Sequence, residues 1–267
     1  MVSLTVLASG SSGNCSLLAS SRTRILVDAG LSCREICRRM IASGEDALRL
    51  SAVIVSHEHT DHVHGLEVLA RKLNVAIYMT GATYQAWRRW ARDTHDGVKP
   101  QLAKLETFEA GRSFTIGDIT VAPFTIPHDA ADPVGFTFRA EGVRIGIVTD
   151  LGYMPASVAD NLRGCDGLMI ESNHDVEMLR GGPYPWVVKQ RVMSRVGHLS
   201  NEALAQFFAG DYDGGAAFLV LAHLSEQNNH PDLARGAAER ALAPRRDLLR
   251  NRLMLASQHR PLEPIRL

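Results

Sequence analysis

Four side chains able to bind a metal ion stand close together in the run Ser56-His57-Glu58-His59-Thr60-Asp61-His62: His57, His59, Asp61 and His62. Imidazole and carboxylate are ordinary ligands for zinc and manganese, and two such ions a few ångströms apart make a hydrolytic site. The apolar, β-branched stretch over 50–55 predicts a buried strand that ends where these residues begin. In extended backbone, residues i and i+2 project to the same side, so His57 and His59 can reach one ion together. Asp61 and His62 come once the chain turns, and can face a second ion close by. A polar loop that carries three histidines by chance is the plainer reading. The concentration of ligand types directly after a strand argues against it.

Other residues of the same chemistry fall at the ends of predicted strands, where a layered fold usually places its site residues. His128 and Asp129 follow a strand over 119–126, Asp150 follows one over 143–148, and His223 follows one over 217–221. A strand over 167–171 leads into Ser172-Asn173-His174-Asp175, where His174 could touch substrate or pack structurally. Asp28 ends a strand over 24–27 and could cap the next helix, over 31–42, or orient a histidine ligand. His198 lies between predicted helices over 184–195 and 201–208; it could serve chemistry, cap the second helix or pack in the core. The turn over 9–14, with Ser11 and Asn14, could offer backbone N–H groups to a phosphate. It lacks the lysine of a P-loop, and a tight hairpin connection explains it as well.

The remaining pattern supplies the framework. Strands are predicted over 3–8, 15–19, 75–79, 113–116, 135–140 and 253–256, the last before a proline-bearing tail. Helices are predicted over 65–73, 82–92, 156–162 and 231–242. Strands and helices alternate in two similar halves, which predicts an α/β fold of sheets packed face to face with helices outside. The chain of 267 residues is expected to form one domain over 1–267.

Composition narrows the function classes. Lys+Arg and Asp+Glu are both 29, so no global charge announces a polyanionic partner. The start, 1–9, lacks a basic n-region, and no apolar run approaches membrane-spanning length, so neither a signal peptide nor a membrane partner is expected. Cys15, Cys33, Cys37 and Cys165 show no zinc-finger spacing, which makes a reduced, cytoplasmic protein the default. On the helix over 82–92, Trp87 and Trp90 stand beside Arg88, Arg89 and Arg92. That face could stack and pair with nucleic acid, although a core-facing aromatic pair with solvated arginines is the commoner arrangement. His64 adjoins the histidine run but falls outside its spacing, and is expected at the surface or behind the ligands; His95, His230 and His259 have no supporting neighbours and are expected at the surface.

Collected in order, His57, His59, Asp61, His62, His128, Asp150 and His223 resemble the ligand series of the metallo-β-lactamase-fold hydrolase superfamily. Asp28, in Val-Asp-Ala-Gly, fits its first motif. The resemblance covers nearly the whole chain and implies a four-layer αββα sandwich with two divalent ions, Zn²⁺ or Mn²⁺. It implies that His57, His59 and His128 serve one ion, that Asp61, His62 and His223 serve the other, and that Asp150 bridges them. Finer motifs resemble the YycJ-like branch: the turn over 8–14, the stretch over 127–135, Glu171-Ser172-Asn173-His174-Asp175, Gly197-His198-Leu199-Ser200-Asn201 and the stretch over 222–229. That branch is linked to 5′→3′ exonuclease activity and is related to ribonuclease Z, whose leaving-group histidine motif His198-Leu199-Ser200 resembles.

The resemblance further implies a metal-dependent phosphodiesterase acting on single-stranded DNA or RNA. Asp61 would accept the proton of the attacking water, and His198 would protonate the departing sugar oxygen. Asp28, Ser11, Asn14, His174 and Ser200 are expected around the ligands or the substrate. Two departures limit the ribonuclease Z analogy. The interval from His128 to Asp150, 22 positions, is too short for a tRNA-gripping arm. That from Asp150 to His223 is too short for the extra domain of the larger β-CASP nucleases. The alternatives are a thioester or lactone hydrolase of the glyoxalase II type, a hydrolase of small cyclic-nucleotide-like phosphodiesters and, from another class, a metal-stabilised binding module.

Overall fold

Leu4 and Val6 point one way along β1 (Ser3–Ala8) and Leu7 points the other, yet all three are fully buried. The same holds for Ile25, Leu26 and Val27 of the third strand. A strand buried on both faces needs a layer on each side, which is why these segments read as unbroken apolar runs. In the computed structural model, which describes residues 1–94, 102–245 and 251–267, those layers are a second sheet within and helices without.

The first sheet contains β1, β2 (Cys15–Ala19), β3 (Arg24–Val27), β4 (Ala52–Ile54), β5 (Ala76–Thr80) and β6 (Leu105–Phe108). The second contains β7 (Phe114–Ile116), β8 (Ile119–Thr125), β9 (Val134–Ala140), β10 (Val143–Val148), β11 (Gly167–Glu171), β12 (Phe218–Ala222) and β13 (Arg252–Leu255). β14 (Ile265–Arg266) returns to pair antiparallel with β1. β3 through β6 run parallel, as do β10 through β13, and the hairpin strands of each half are antiparallel. Val6, Ile25 and Ile54 from one sheet meet Phe136, Ile145 and Val220 from the other in the central core.

The helices are α1 (Cys33–Ala42), α2 (Thr60–Val63), α3 (Leu66–Leu73), α4 (Gly81–Thr94), α5 (Ala156–Leu162), α6 (Val176–Gly181), α7 (Trp186–Val192), α8 (Asn201–Ala209) and α9 (Pro231–Leu242). α1, α3 and α4 cover the outer face of the first sheet through Ile36, Met40, Leu69 and Trp87. α5, α8 and α9 cover the second through Val158, Phe207 and Ala238. The result is the expected four-layer αββα sandwich. No helix of the described residues is long and apolar enough to cross a membrane.

Several local readings change. The helix expected over 184–195 is only α7, starting after Pro185, whose fixed φ suits an N-cap but not a helix interior. β6, β14, α2 and α6 are short elements without a predicted counterpart. Asp28 does not cap α1; Ser32 does, its hydroxyl accepting from the Glu35 amide. Trp87 is buried against the first sheet and Trp90 packs partly beside it, so that pair belongs to the core. His64 and His230 are exposed, as is His259 beside Glu226. His95 lies outside the described residues.

Candidate metal centre and active-site cleft

The carboxyl ends of β3, β4, β10, β11 and β12 all reach one edge of the sandwich, and the chain leaves each of them abruptly. Asp28, Asp150 and His223, just beyond β3, β10 and β12, hold φ of 61°, 61° and 54°. Only Asn74 and Glu141 share that left-handed backbone among the other described non-glycine residues. For residues with a side chain such a conformation costs about 1–3 kcal/mol and persists only where the surroundings over-determine it. Here it turns three ligand-type side chains sharply into one space. Gly30 assists by contact: a Cβ there would run into the Asp61 carbonyl. Its absence lets the Asn14 amide donate to that carbonyl at 2.7 Å, which locks the turn over 9–14 against the histidine loop.

The histidines are held with one nitrogen committed and the other turned inward. His62 Nδ1–H donates to Asp28 at 2.8 Å, and His128 Nδ1–H to the Gly197 carbonyl at 3.1 Å. His223 Nδ1–H donates to Glu171 at 2.8 Å. The Ser56 hydroxyl, 3.0 Å from the Asp28 carboxylate, gives it its only proton and so accepts from His57 Nδ1–H, also at 3.0 Å. Each of these four rings therefore presents Nε2 as a lone pair, the arrangement by which orienting partners fix metal-ligating imidazoles. His59, on a neighbouring loop position, offers Nδ1 instead, 3.2 Å from His128 Nε2.

The inward-facing atoms fit cations. His57 Nε2, His223 Nε2 and Asp150 Oδ2 are buried without a hydrogen-bond partner. Asp150 Oδ2 also lies 3.1 Å from His62 Nε2. Two facing lone pairs at that distance require something positive between them, a proton or a metal ion. The charges point the same way. Burial opposes ionisation of Asp61, Asp150 and Glu171, yet surrounding histidines hold all three below the carboxylate range, Glu171 at about 2. Burial likewise lowers His62 and His223, but Asp28, Asp150 and Asp61 outweigh it at His62, and Asp150, Asp61 and Glu171 at His223, so both are raised. A buried cluster that rich in carboxylate demands compensating positive charge. His57, His59 and His128 bring ligand atoms within 4.8 Å of one another, and so do His57, His62 and Asp150. Asp61 Oδ2 lies 3.5 Å from His62 Nε2 and 3.6 Å from His223 Nε2. These clusters are arranged for two divalent ions.

Asp150, Glu171, His198 and His223 form a further group of the same kind. Its contacts, however, run through His198 Nδ1 and His223 Nδ1 to Glu171 Oε1, at 2.9 and 2.8 Å. The other Glu171 oxygen accepts the backbone N–H groups of Leu151 and Leu199. All of its acceptor capacity is used in orienting others, so Glu171 is a positioning carboxylate. Sequence reasoning gives it no role of its own. The signal available is a charged residue closing the otherwise apolar strand Gly-Leu-Met-Ile-Glu, which a buried strand end rarely tolerates unpartnered.

His198 is 19% exposed and lines an open cleft of about 380 Å³ over these ligands. Burial pulls its pKa down, but the charge and hydrogen bond of Glu171, with Asp150, raise it. The helix cap that His198 could have provided is supplied by Ser200, whose hydroxyl accepts from the Ala203 amide at 3.1 Å. Ser200 is thus engaged in capping α8 and does not line the cleft. His174 is buried and lies outside the cleft lining, and burial lowers its pKa to about 4. Ser11 lines the cleft. Asn14 accepts from the Gly10 amide, which aims its Nδ2 between His62 Nε2, 3.0 Å away, and Asp61 Oδ2, 3.2 Å away. Arg88, Arg89 and Arg92 are absent from the lining; the guanidinium there is Arg191, which lies in the predicted helix over 184–195 and is not singled out by the sequence.

Comparison with known proteins agrees with this geometry. The model of the β-lactamase superfamily domain matches residues 23–224. The chain is 38% identical over 229 residues to the exodeoxyribonuclease WalJ of Streptococcus pneumoniae, covering 86% of this chain and 84% of that protein. It is also 38% identical over 237 residues to the exodeoxyribonuclease YycJ of Bacillus anthracis, covering 89% and 88%. The crystal structure of the metallo-β-lactamase-fold protein YhfI from Bacillus subtilis superposes with a TM-score of 0.72 at 18% identity, over 98% of this chain and all of that one. With fold, clusters and relatives in agreement, this is a metal-dependent hydrolase. The chain belongs to the metallo-β-lactamase superfamily, in the branch that includes YycJ.

Proposed function

We propose that the protein is a dinuclear phosphodiesterase that degrades single-stranded polynucleotide from its 5′ end. The observation that carries this reading is His198, fixed by Glu171 on the wall of the cleft beside the metal cluster. A sugar oxygen is a poor leaving group and departs readily only with a proton, whereas a thiolate needs none. A positioned, charge-stabilised imidazole is therefore of most use to a phosphodiesterase. The two bacterial relatives named as exodeoxyribonucleases support DNA as the polymer.

In this reading His57, His59 and His128 would hold one ion and Asp61, His62 and His223 the other, with Asp150 placed to serve both. Divalent ions there would lower the pKa of water toward neutrality and polarise the phosphoryl group. The chain's own residues do the rest. Glu171 keeps the His198 proton on Nδ1 and, by its charge, favours a second proton on Nε2, burial notwithstanding. That second proton passes to the departing oxygen. Asp61, oriented by the Asn14 amide, takes the proton of the attacking water.

Oligonucleotides labelled at the 5′ or the 3′ end, incubated with zinc or manganese, test this beside a thioester and a cyclic nucleotide. Release of short products from the 5′ end, with slow turnover of the other two, is expected. Intact oligonucleotides together with rapid thioester hydrolysis would overturn the reading.

A further inference from the structure

We propose that Arg191 and Tyr184 form a strand-gripping subsite beside the metal centre, the guanidinium on a backbone phosphate and the ring against a base. The inference rests on the phosphodiesterase reading and adds where the polymer is held. α7 turns Val188, Arg191 and Val192, at helical spacing i, i+3 and i+4, into the same cleft that His59, Asp61 and His198 line. Tyr184, just ahead of the helix, lines it too.

Arg191 is held in place without being used up. Its Nε and Nη2 donate to the two oxygens of Asp129, at 2.5 and 3.1 Å, while 58% of the side chain stays exposed. Nη1 makes no hydrogen bond to the described residues. A guanidinium has five donors in a planar fork, so the remaining ones can still meet a phosphate. An exposed ion pair of this kind contributes little to stability, typically about 0–1 kcal/mol, which leaves its position unexplained by folding alone. Asp129 adjoins His128, and its Oδ1 lies 3.5 Å from His128 Nε2. The pair therefore sets a fixed cationic fork directly beside the cluster. An anionic polymer with flat bases matches that pairing of guanidinium and aromatic ring, since bases stack on aromatic side chains whatever their sequence. The arginines of α4, outside the lining, are the natural control.

The test uses the metal-loaded protein, a single-stranded 20-mer and bis(p-nitrophenyl) phosphate. Arg191→Ala is expected to raise KM for the 20-mer about 10-fold and to reduce the slope of log(kcat/KM) against log salt by about 0.7, one phosphate contact on a single strand. Arg191→Lys should retain most of that slope. Tyr184→Ala should raise KM about 5- to 100-fold while Tyr184→Phe stays near wild type, the signature of stacking. Arg89→Ala should change neither quantity. A merely structural Arg191–Asp129 pair would lower kcat and metal content and leave the salt slope at its wild-type value; that result overturns the subsite. Equal losses in Arg191→Ala and Arg89→Ala would overturn it as well. Should Arg191→Ala fail to fold, Arg191→Lys and the Tyr184 pair decide, and a Tyr184→Ala protein with wild-type KM counts against it. A wild-type protein that leaves both substrates intact would instead defeat the phosphodiesterase reading, and the subsite with it.

Discussion

The first sheet delivers His57, His59, Asp61 and His62 from one loop and the single turn of α2, whereas the second delivers His128, Asp150, Glu171, His198 and His223 from separate loops and strand ends. The compact half is braced many times over, by Asp28, Ser56, Asn14 and the close approach at Gly30. In the dispersed half His128 is held separately, by the Gly197 carbonyl, and the bracing of His198 and His223 converges on one carboxylate. Glu171 ties two histidines and the backbone of two loops into a single hydrogen-bonded unit. A contiguous motif can thus tolerate loss of a single support, while a motif gathered from afar depends on the residue that gathers it.

Substitutions in each half should expose that asymmetry. Asp150 faces both halves, so Asp150→Asn carries the largest expected effect. A neutral amide cannot balance two dications, and activity should fall at least about 10³-fold together with metal content by elemental analysis. An active Asp150→Asn protein with full metal would remove it from the bridging position. Glu171→Gln comes next, with a fall in kcat/KM of about 10²–10⁴-fold, because His198 loses its orientation and His223 its brace. The pH profile should move as well. In the proposed mechanism His198 acts while protonated, and Glu171 raises its pKa, so removing that charge should shift the alkaline limb of kcat to lower pH. An unshifted limb would separate Glu171 from the acid.

Asp28→Asn should be milder, weakening metal affinity about 10- to 100-fold by chelator competition, since the other contacts of the compact half remain. A loss as severe as that of Glu171→Gln would erase the proposed difference between the halves. Gly30→Ala should cost about 1–3 kcal/mol of stability and weaken metal binding with it, by forcing the Asp61 backbone of the histidine loop off its neighbour. Thermal melting of the metal-loaded protein would read it. A wild-type midpoint would mean that the loop yields more easily than its packing suggests.

The same asymmetry governs what the sequence discloses. His57 to His62 are legible from residues alone, because four ligand-type residues crowd behind an apolar strand. His128, Asp150 and His223 are scattered singly over the chain; their places at predicted strand ends make them candidates, and their order and the likeness to a known series assemble them into one set. Glu171 looks like the end of an apolar strand, and its importance arises from partners distant in the chain. Arg191 sits in a predicted helix whose periodicity says nothing of which face meets the cleft. Long apolar strands and amphipathic helices announce the layers. β6 does not, because Leu-Glu-Thr-Phe is largely exposed and lacks an apolar run, nor does the two-residue β14; both are held by pairing with neighbours already in place.

Leaving-group dependence tests the central claim most directly. His198→Ala should keep its metals and its fold, because the metal clusters are complete without it. On a single-stranded oligonucleotide it should lose about 10²–10⁴-fold in kcat, the usual contribution of a positioned acid. On a p-nitrophenyl phosphodiester, whose leaving group departs without a proton, most of the rate should survive. Equal losses on both substrates, or loss of metal from the variant, would contradict the assignment of His198 as the general acid.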